Sequence, residues 1–159
     1  MKTLAHKLLP VALLLSLATG PAAAISDTYR DLSSRLHARA ELALQAEDLD
    51  AANELVNLAL TADPSNAQAF VLKARVAYAL GEILEALRLV TVGLEIEPTD
   101  LDGRVLQVRY AVALSDMEAA ERAMAQYLAV CLSSCDEADR LRSLVNEKRA
   151  DAAIRKTAR

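Results

Sequence analysis

Side chains that could carry out chemistry are few in this sequence. His6 and His37 are the two histidines, and neither an HExxH string nor a pair of CxxC strings accompanies them, so a multi-histidine zinc site is excluded. Acidic runs begin at Glu47 and Asp136, where carboxylates favour a helix start, and neither run has the spacing of a calcium loop. No GxSxG, GxxxxGK[ST] or GxGxxG string occurs. We therefore expect no enzyme activity, no metal and no cofactor.

Cys131 and Cys135 are the two cysteines of the chain, and they lie one helical turn apart in the sequence. In an oxidising compartment they can form a disulfide at a loosened helix end, which contributes about 2 kcal/mol in the chain-entropy description. Free or intermolecular thiols and a redox role are the alternatives, although CxxxC is not the CxxC redox motif. We predict a structural disulfide.

The segment 1–24 has the composition of a secretory signal peptide. Lys2 and Lys7 precede an apolar run over 8–18, and small residues occupy 22–24. The run is shorter than the ~20 residues that cross a bilayer core, so a retained anchor is the weaker alternative. We predict cleavage after Ala24 and location in the periplasm or outside the cell.

Charge is divided unevenly between the body of the chain and its C-terminal end. Residues 25–139 hold 9 basic and 20 acidic residues, whereas 140–159 hold 7 basic and 2 acidic residues. An acidic body argues against nucleic acid as a partner, because that binding depends on cations that neutralise phosphates. The basic end is interpreted as a solvated helix whose cations favour its own carboxyl terminus. Contact with anionic lipid is an alternative that the sequence does not favour.

A repeating unit with a 34-residue period organises the remaining chain. Pro64 and Pro98 are one period apart, as are successive members of the series Ala52, Ala86 and Ala120, and further apolar positions keep the same offset. Abundant Ala and Leu with few aromatic residues favour packed helices over a sheet. The copies run over about 33–66, 67–100 and 101–134. We predict helices at 27–46, 49–62, 67–80, 83–96, 101–114, 117–131 and 136–156.

This pattern resembles the tetratricopeptide repeat (TPR) family, whose 34-residue unit is a helix-turn-helix with small residues at fixed positions and a proline near its end. The second copy carries Phe70, Ala74, Gly81, Ala86 and Pro98 in that order. The resemblance implies an all-α solenoid of three helix hairpins over 25–134. It also implies a C-terminal capping helix, which with the basic tail occupies 135–159.

The resemblance further implies a concave groove, lined by the first helix of each hairpin, that binds a peptide segment. The positions that carry over are Ser34, His37, Glu41 and Leu44, then Gln68, Val71, Arg75 and Tyr78, then Asp102, Val105, Arg109 and Val112. One interpretation has Arg75 and Arg109 bind a carboxylate of the segment. The alternative pairs Glu41 with Arg75, and leaves Arg109 solvated or paired with Asp102 or Asp136. Recognition of chaperone tails is not expected, because His37 and Glu41 replace the Lys and Asn of that TPR variety.

The expected function is a non-catalytic protein–protein interaction module that serves as an adaptor or assembly factor in the cell envelope. A self-associating structural protein, which would be a homo-oligomer, is the alternative. A thiol redox factor that uses Cys131 and Cys135 is the weakest of the three hypotheses.

Overall fold

Seven α-helices make up the chain in its computed structural model, which describes residues 20–131 and 135–157. They are α1 (Gly20–Gln45), α2 (Leu49–Ala62), α3 (Ala67–Ala79), α4 (Ile83–Ile96), α5 (Leu101–Ala113), α6 (Met117–Val130) and α7 (Ala138–Thr157). Over those residues there is no β-strand, which confirms the predicted all-α class. No helix among them combines the length and the apolarity needed to cross a membrane.

The helices pack as three successive hairpins followed by a seventh helix. Helices α1 and α2, α3 and α4, and α5 and α6 form the pairs. Each pair contacts the next mainly through its second helix, and α1 also contacts α3. Helix α7 packs against both α5 and α6. This is the predicted solenoid of hairpins with a capping helix.

Most predicted helix bounds agree closely with the structure, but α1 begins at Gly20 rather than at residue 27. Pro21 is compatible with this start, because its missing N–H is not needed in a first helical turn. The alanines that follow are strong helix formers. The predicted cleavage site after Ala24 thus lies within α1, while residues 1–19 of the predicted signal peptide lie outside the described residues.

Short polar side chains begin four of the helices by accepting hydrogen bonds from backbone N–H groups. Asp48 accepts from Ala51, Asn66 from Ala69, and Asp116 from Ala119, while Asp100 accepts from both Asp102 and Gly103. Such caps satisfy donors that have no partner within the helix. The Asp and Asn residues that follow each proline turn therefore fix where the next hairpin starts.

The turn inside each hairpin has the same backbone geometry. Glu47, Gly81 and Ser115 occupy equivalent positions of the three copies and have positive φ values of 61°, 83° and 61°. In each turn the next residue donates its N–H to a carbonyl of the preceding helix: Asp48 to Ala43, Glu82 to Ala77 and Asp116 to Ala111, at 2.9–3.0 Å. Glycine adopts this conformation without steric cost, whereas Glu47 and Ser115 adopt it against the preference of residues that carry a side chain.

Small side chains lie where paired helices cross, as the repeat predicted. Ala52, Ala86 and Ala120 are fully buried, and so are Ala40 and Ala74 on the facing helices. The close backbone approach that these residues permit lets longer side chains interdigitate around them. At the C-terminal end, α7 buries Leu141 and Val145 against the third hairpin.

Candidate functional site

The first helices of the three hairpins, α1, α3 and α5, line one continuous cavity that reaches the start of α7. We call this cavity the concave groove, and its volume is about 560 Å³. The 34-residue repeat places equivalent side chains of successive hairpins beside one another. Eight of the positions carried over from the sequence line the groove, namely His37, Glu41, Gln68, Val71, Arg75, Asp102, Val105 and Arg109.

Two ion pairs cross the groove between neighbouring helices. Nη1 of Arg75 lies 3.2 Å from Oε1 of Glu41, and Nη2 of Arg109 lies 2.9 Å from Oε2 of Glu137. Both arginines are about half exposed, so each pair contributes little to stability. The pairs fix the orientation of the side chains across the groove instead.

The structure shows which carboxylates the groove arginines contact. The Glu41–Arg75 pair of the alternative interpretation is present. The predicted partners of Arg109, Asp102 and Asp136, are wrong, because Glu137 holds its guanidinium. Glu137 directly precedes α7, which packs beside α5 where a further first helix would lie.

His37 lines the groove and is partly buried. Its Nε2 lies 4.0 Å from Oε2 of Glu41, and its Nδ1 is buried with no hydrogen bond from the described residues. Burial lowers the pKa of His37 below 6.5, Glu41 raises it, and Arg75 lowers it further. Besides His37, the charged groups of the groove are three carboxylates (Glu41, Asp102 and Glu137) and two guanidiniums (Arg75 and Arg109).

A second cavity of about 440 Å³ continues the same face toward α7. Its lining includes Tyr78, Val112 and Leu144, and it shares Arg109 with the groove. Tyr78 is about half exposed and stacks on Tyr110, with ring centroids 4.8 Å apart. Burial of Tyr110 under this stack raises its pKa to about 12. The second cavity therefore offers an aromatic and aliphatic surface beside the charged groove.

Some expected groove residues lie elsewhere, and others were missed. Ser34 lines a separate cavity with Arg30 and Asp63, and Leu44 packs on the core between α1 and α2. Tyr78 and Val112 belong to the second cavity, whereas Asp102 does line the groove. Sequence reasoning missed Leu72, Leu106 and Glu137. The first two are one repeat apart, an offset that could have identified them.

Cys131 and Cys135 form a disulfide between α6 and α7, with their Cα atoms 5.6 Å apart. Cys131 is buried with the core of the third hairpin. In the sequence, Leu132 stands between the two cysteines, at the position where the other two copies have their proline. Within 20–131 and 135–157, no group of three or more His, Cys, Asp or Glu side chains could hold a metal ion.

No family model and no curated protein matches this chain. Solved structures do match it. The TPR2B domain of yeast Sti1, in a complex with pHsp70, has a TM-score of 0.69 and 14% identity over 73% of this chain and 97% of that chain. The first TPR of Spaghetti (RPAP3), bound to the HSP90 peptide SRMEEVD, has a TM-score of 0.68 and 14% identity over 74% and 96% of the two chains. The chain has the TPR fold.

A third TPR-like neighbour is PcrH, solved in complex with the chaperone-binding region of PopD. It has a TM-score of 0.68 and 18% identity, over 77% of this chain and 94% of PcrH. The described helices match all three of these structures along 94–97% of their own length. The resemblance inferred from the 34-residue period is confirmed for the fold.

Proposed function

We propose that this TPR-fold chain is a non-catalytic protein-interaction module of the cell envelope, an adaptor or assembly factor that binds a peptide segment of its partner in the concave groove. The continuity of the groove across α1, α3 and α5 is the observation that carries the proposal. Two neighbours of the same fold were solved with a peptide or a partner region bound. The predicted signal peptide supports a role outside the cytoplasm.

The groove offers both kinds of contact that a peptide segment requires. Val71 and Val105 provide the apolar part of the groove lining, and polar side chains such as Gln68 are exposed beside them. The cross-helix ion pairs hold Arg75 and Arg109 in place before binding. Side chains that are already ordered lose less conformational entropy when a ligand binds. Binding here means presentation of a rigid surface rather than a change in covalent bonds.

A photo-crosslinking amino acid placed on opposite faces tests this function without perturbing the core. We would place p-benzoylphenylalanine at Gln68 or Tyr78, on the groove side, and at Leu58 or Val92, which are exposed on the second helices of two hairpins. After irradiation in the native host, adducts with another protein are expected from Gln68 and Tyr78. Adducts from Leu58 and Val92 alone, or equal yields from all four positions, would exclude the groove as the binding site.

Export is tested separately, by sequencing the amino terminus of the protein recovered from the host periplasm and medium. A terminus at Ile25 is the expected result. A protein found only in the cytoplasm with Met1 intact would overturn the cell-envelope role and leave the groove proposal standing.

A further inference from the structure

The charges of the concave face favour a basic ligand over one that offers a carboxylate to Arg75 and Arg109. Arg75 and Arg109 are each paired with a carboxylate at 2.9–3.2 Å. Asp102 lines the groove as an exposed acid, and no ion pair joins it to another described residue. The second cavity adds Glu147 and Asp151 against Lys148. Without Asp151, which belongs to the C-terminal end of α7, the two cavities present four carboxylates and three cations, so the face is slightly acidic and fits a segment that is basic and partly apolar.

The same chain carries a segment of that kind. We call residues 150–159 the C-terminal arm. Cationic side chains in the arm are Arg155, Lys156 and Arg159, and its acid is Asp151. From 150 to 155 every side chain is exposed, although α7 continues to Thr157. Ile154 is 65% exposed, which leaves an apolar side chain without cover among charged neighbours. Asp151 lines the second cavity, and residues 152–155 after it project beyond the packed part of α7.

The arm cannot enter the groove of its own chain. Helix α7 is continuous over Ala138–Thr157 and contains neither glycine nor proline, the residues that most often kink a helix. Its packed part, which buries Leu141 and Val145, already forms one border of the concave face. A straight helix that leaves from this border cannot turn back across it, so an arm that occupies a groove must come from a second molecule.

We infer that the C-terminal arm of one copy docks in the concave face of a second copy, with Ile154 against the surface of Tyr78 and Leu144 and with the arm's cations facing the carboxylates of the groove. This inference rests on the proposed function, because it takes the groove as a peptide site, and it names the segment that fills it. An eight-residue helix is ~12 Å long and the three first helices span ~20–30 Å, so the arm fits across the face. The mode is that of a helix laid in a groove.

Sedimentation velocity on the untagged protein, expressed from its full sequence, tests the inference. At 100 mM NaCl the mean mass is expected to rise with protein concentration above the mass of one chain, which is 17.1 kDa before the predicted signal peptide is removed. At 500 mM NaCl the association is expected to weaken at least tenfold, since salt screens exposed charges. Arg155→Glu in the arm and Asp102→Lys in the groove are each expected to weaken it about tenfold, because an attraction becomes a repulsion.

Two matched charge reversals serve as controls. Asp50→Lys reverses an exposed acid at the start of α2, outside both cavities, and Arg142→Glu reverses an exposed cation of α7 that precedes the arm. Neither is expected to change the association. A mixture of the Arg155→Glu and Asp102→Lys chains keeps one intact arm and one intact groove, so it is expected to form 1:1 complexes. The chain that carries both reversals regains complementary charges and is expected to associate again.

A labelled peptide of residues 149–159 gives a direct probe of the groove. It is expected to bind the native chain at 100 mM NaCl and to bind the Asp102→Lys chain about tenfold more weakly. The inference would be overturned if neither Arg155→Glu nor Asp102→Lys changed the association. It would also be overturned if the native chain were monomeric and did not bind the peptide.

The inference and the proposed function fail separately. Crosslinking from Tyr78 is repeated in the Arg155→Glu chain. One outcome is that the native and Arg155→Glu chains are both monomeric and that Tyr78 crosslinks to another protein in both. The groove then binds peptides, but the C-terminal arm is not its ligand. If native Tyr78 yields adducts only with the arm of a second copy, the inference stands and the adaptor role falls. If neither the arm nor another protein reaches Tyr78, both are wrong.

Discussion

Replacement of Ser115 by glycine is expected to stabilise the protein even though it removes a side chain. Ser115 has φ 61° in the turn between α5 and α6, where it donates its N–H to Val112 at 2.9 Å. A left-handed backbone costs a non-glycine residue about 1–2 kcal/mol. Glycine loses about 0.5–1 kcal/mol more than other residues on ordering, so the net gain in the free energy of unfolding is about 0.5–1 kcal/mol.

The reverse change at Gly81 is expected to cost a similar amount. Gly81 has φ 83° at the equivalent turn, and a Cβ built there meets no atom within 4 Å. Gly81→Ala therefore tests backbone strain alone, without a steric clash. Glu47→Gly is expected to stabilise as Ser115→Gly does. Because the turns are far apart in the chain, the two gains should add to about 1–2 kcal/mol.

Urea unfolding followed by circular dichroism at 222 nm measures these differences. Ser143→Gly is the matched control, because Ser143 is exposed inside α7 and has no positive φ. The same substitution there should destabilise by about 0.5 kcal/mol, since glycine is the poorer helix former. A loss of stability in Ser115→Gly, or an unchanged midpoint in Gly81→Ala, would show that the fold does not impose the left-handed turn.

Three further predictions concern the core, a helix cap and pH. Gly93→Ala should destabilise by about 1–2 kcal/mol, because its Cβ would lie 3.1 Å from the backbone oxygen of Ala67 and such overpacking outweighs the gain in helix propensity. Asn66→Ala should cost about 1–3 kcal/mol, because it removes the cap of α3 and leaves the buried hydroxyl of Ser33 without its 2.9 Å bond. Tyr110 keeps its proton up to a pKa of about 12, so native stability should fall by about 2–3 kcal/mol between pH 10 and 12 relative to Tyr110→Phe.

The sign of the pH effect follows from proton binding. Above pH 10 an unfolded tyrosine loses its proton while folded Tyr110 retains it, so the stabilising contribution is present below pH 10 and is lost toward pH 12. Unfolding by urea at pH 9, 10, 11 and 12 measures it. If the free energy of unfolding changed equally with pH in the native and Tyr110→Phe chains, the predicted contribution of Tyr110 would be contradicted. Unfolding midpoints in Gly93→Ala or Asn66→Ala that equal the native value would refute those predictions in turn.

The sequence alone determined the repeating architecture. Its 34-residue period, the alanines at helix crossings and the polar residues after each proline specify helices through local propensity, capping and one apolar stripe per helix. These are interactions between residues close in the chain, or between equivalent positions of adjacent repeats, so the period predicts them. The same reasoning carried twelve positions over to one face, and Arg75, Arg109 and six others of them line the groove.

Three features depend on tertiary structure and could not be predicted from the 34-residue period. The partner of Arg109 is Glu137 because α7, which lies outside the three copies, packs beside α5 and sets which carboxylate comes within reach. The left-handed turns at Glu47 and Ser115 arise because the packing of each hairpin imposes one turn geometry on residues whose own preference is against it. The acidic balance of the concave face has the same origin. It depends on which charges from four helices meet in space, and that is fixed by packing rather than by the order of residues.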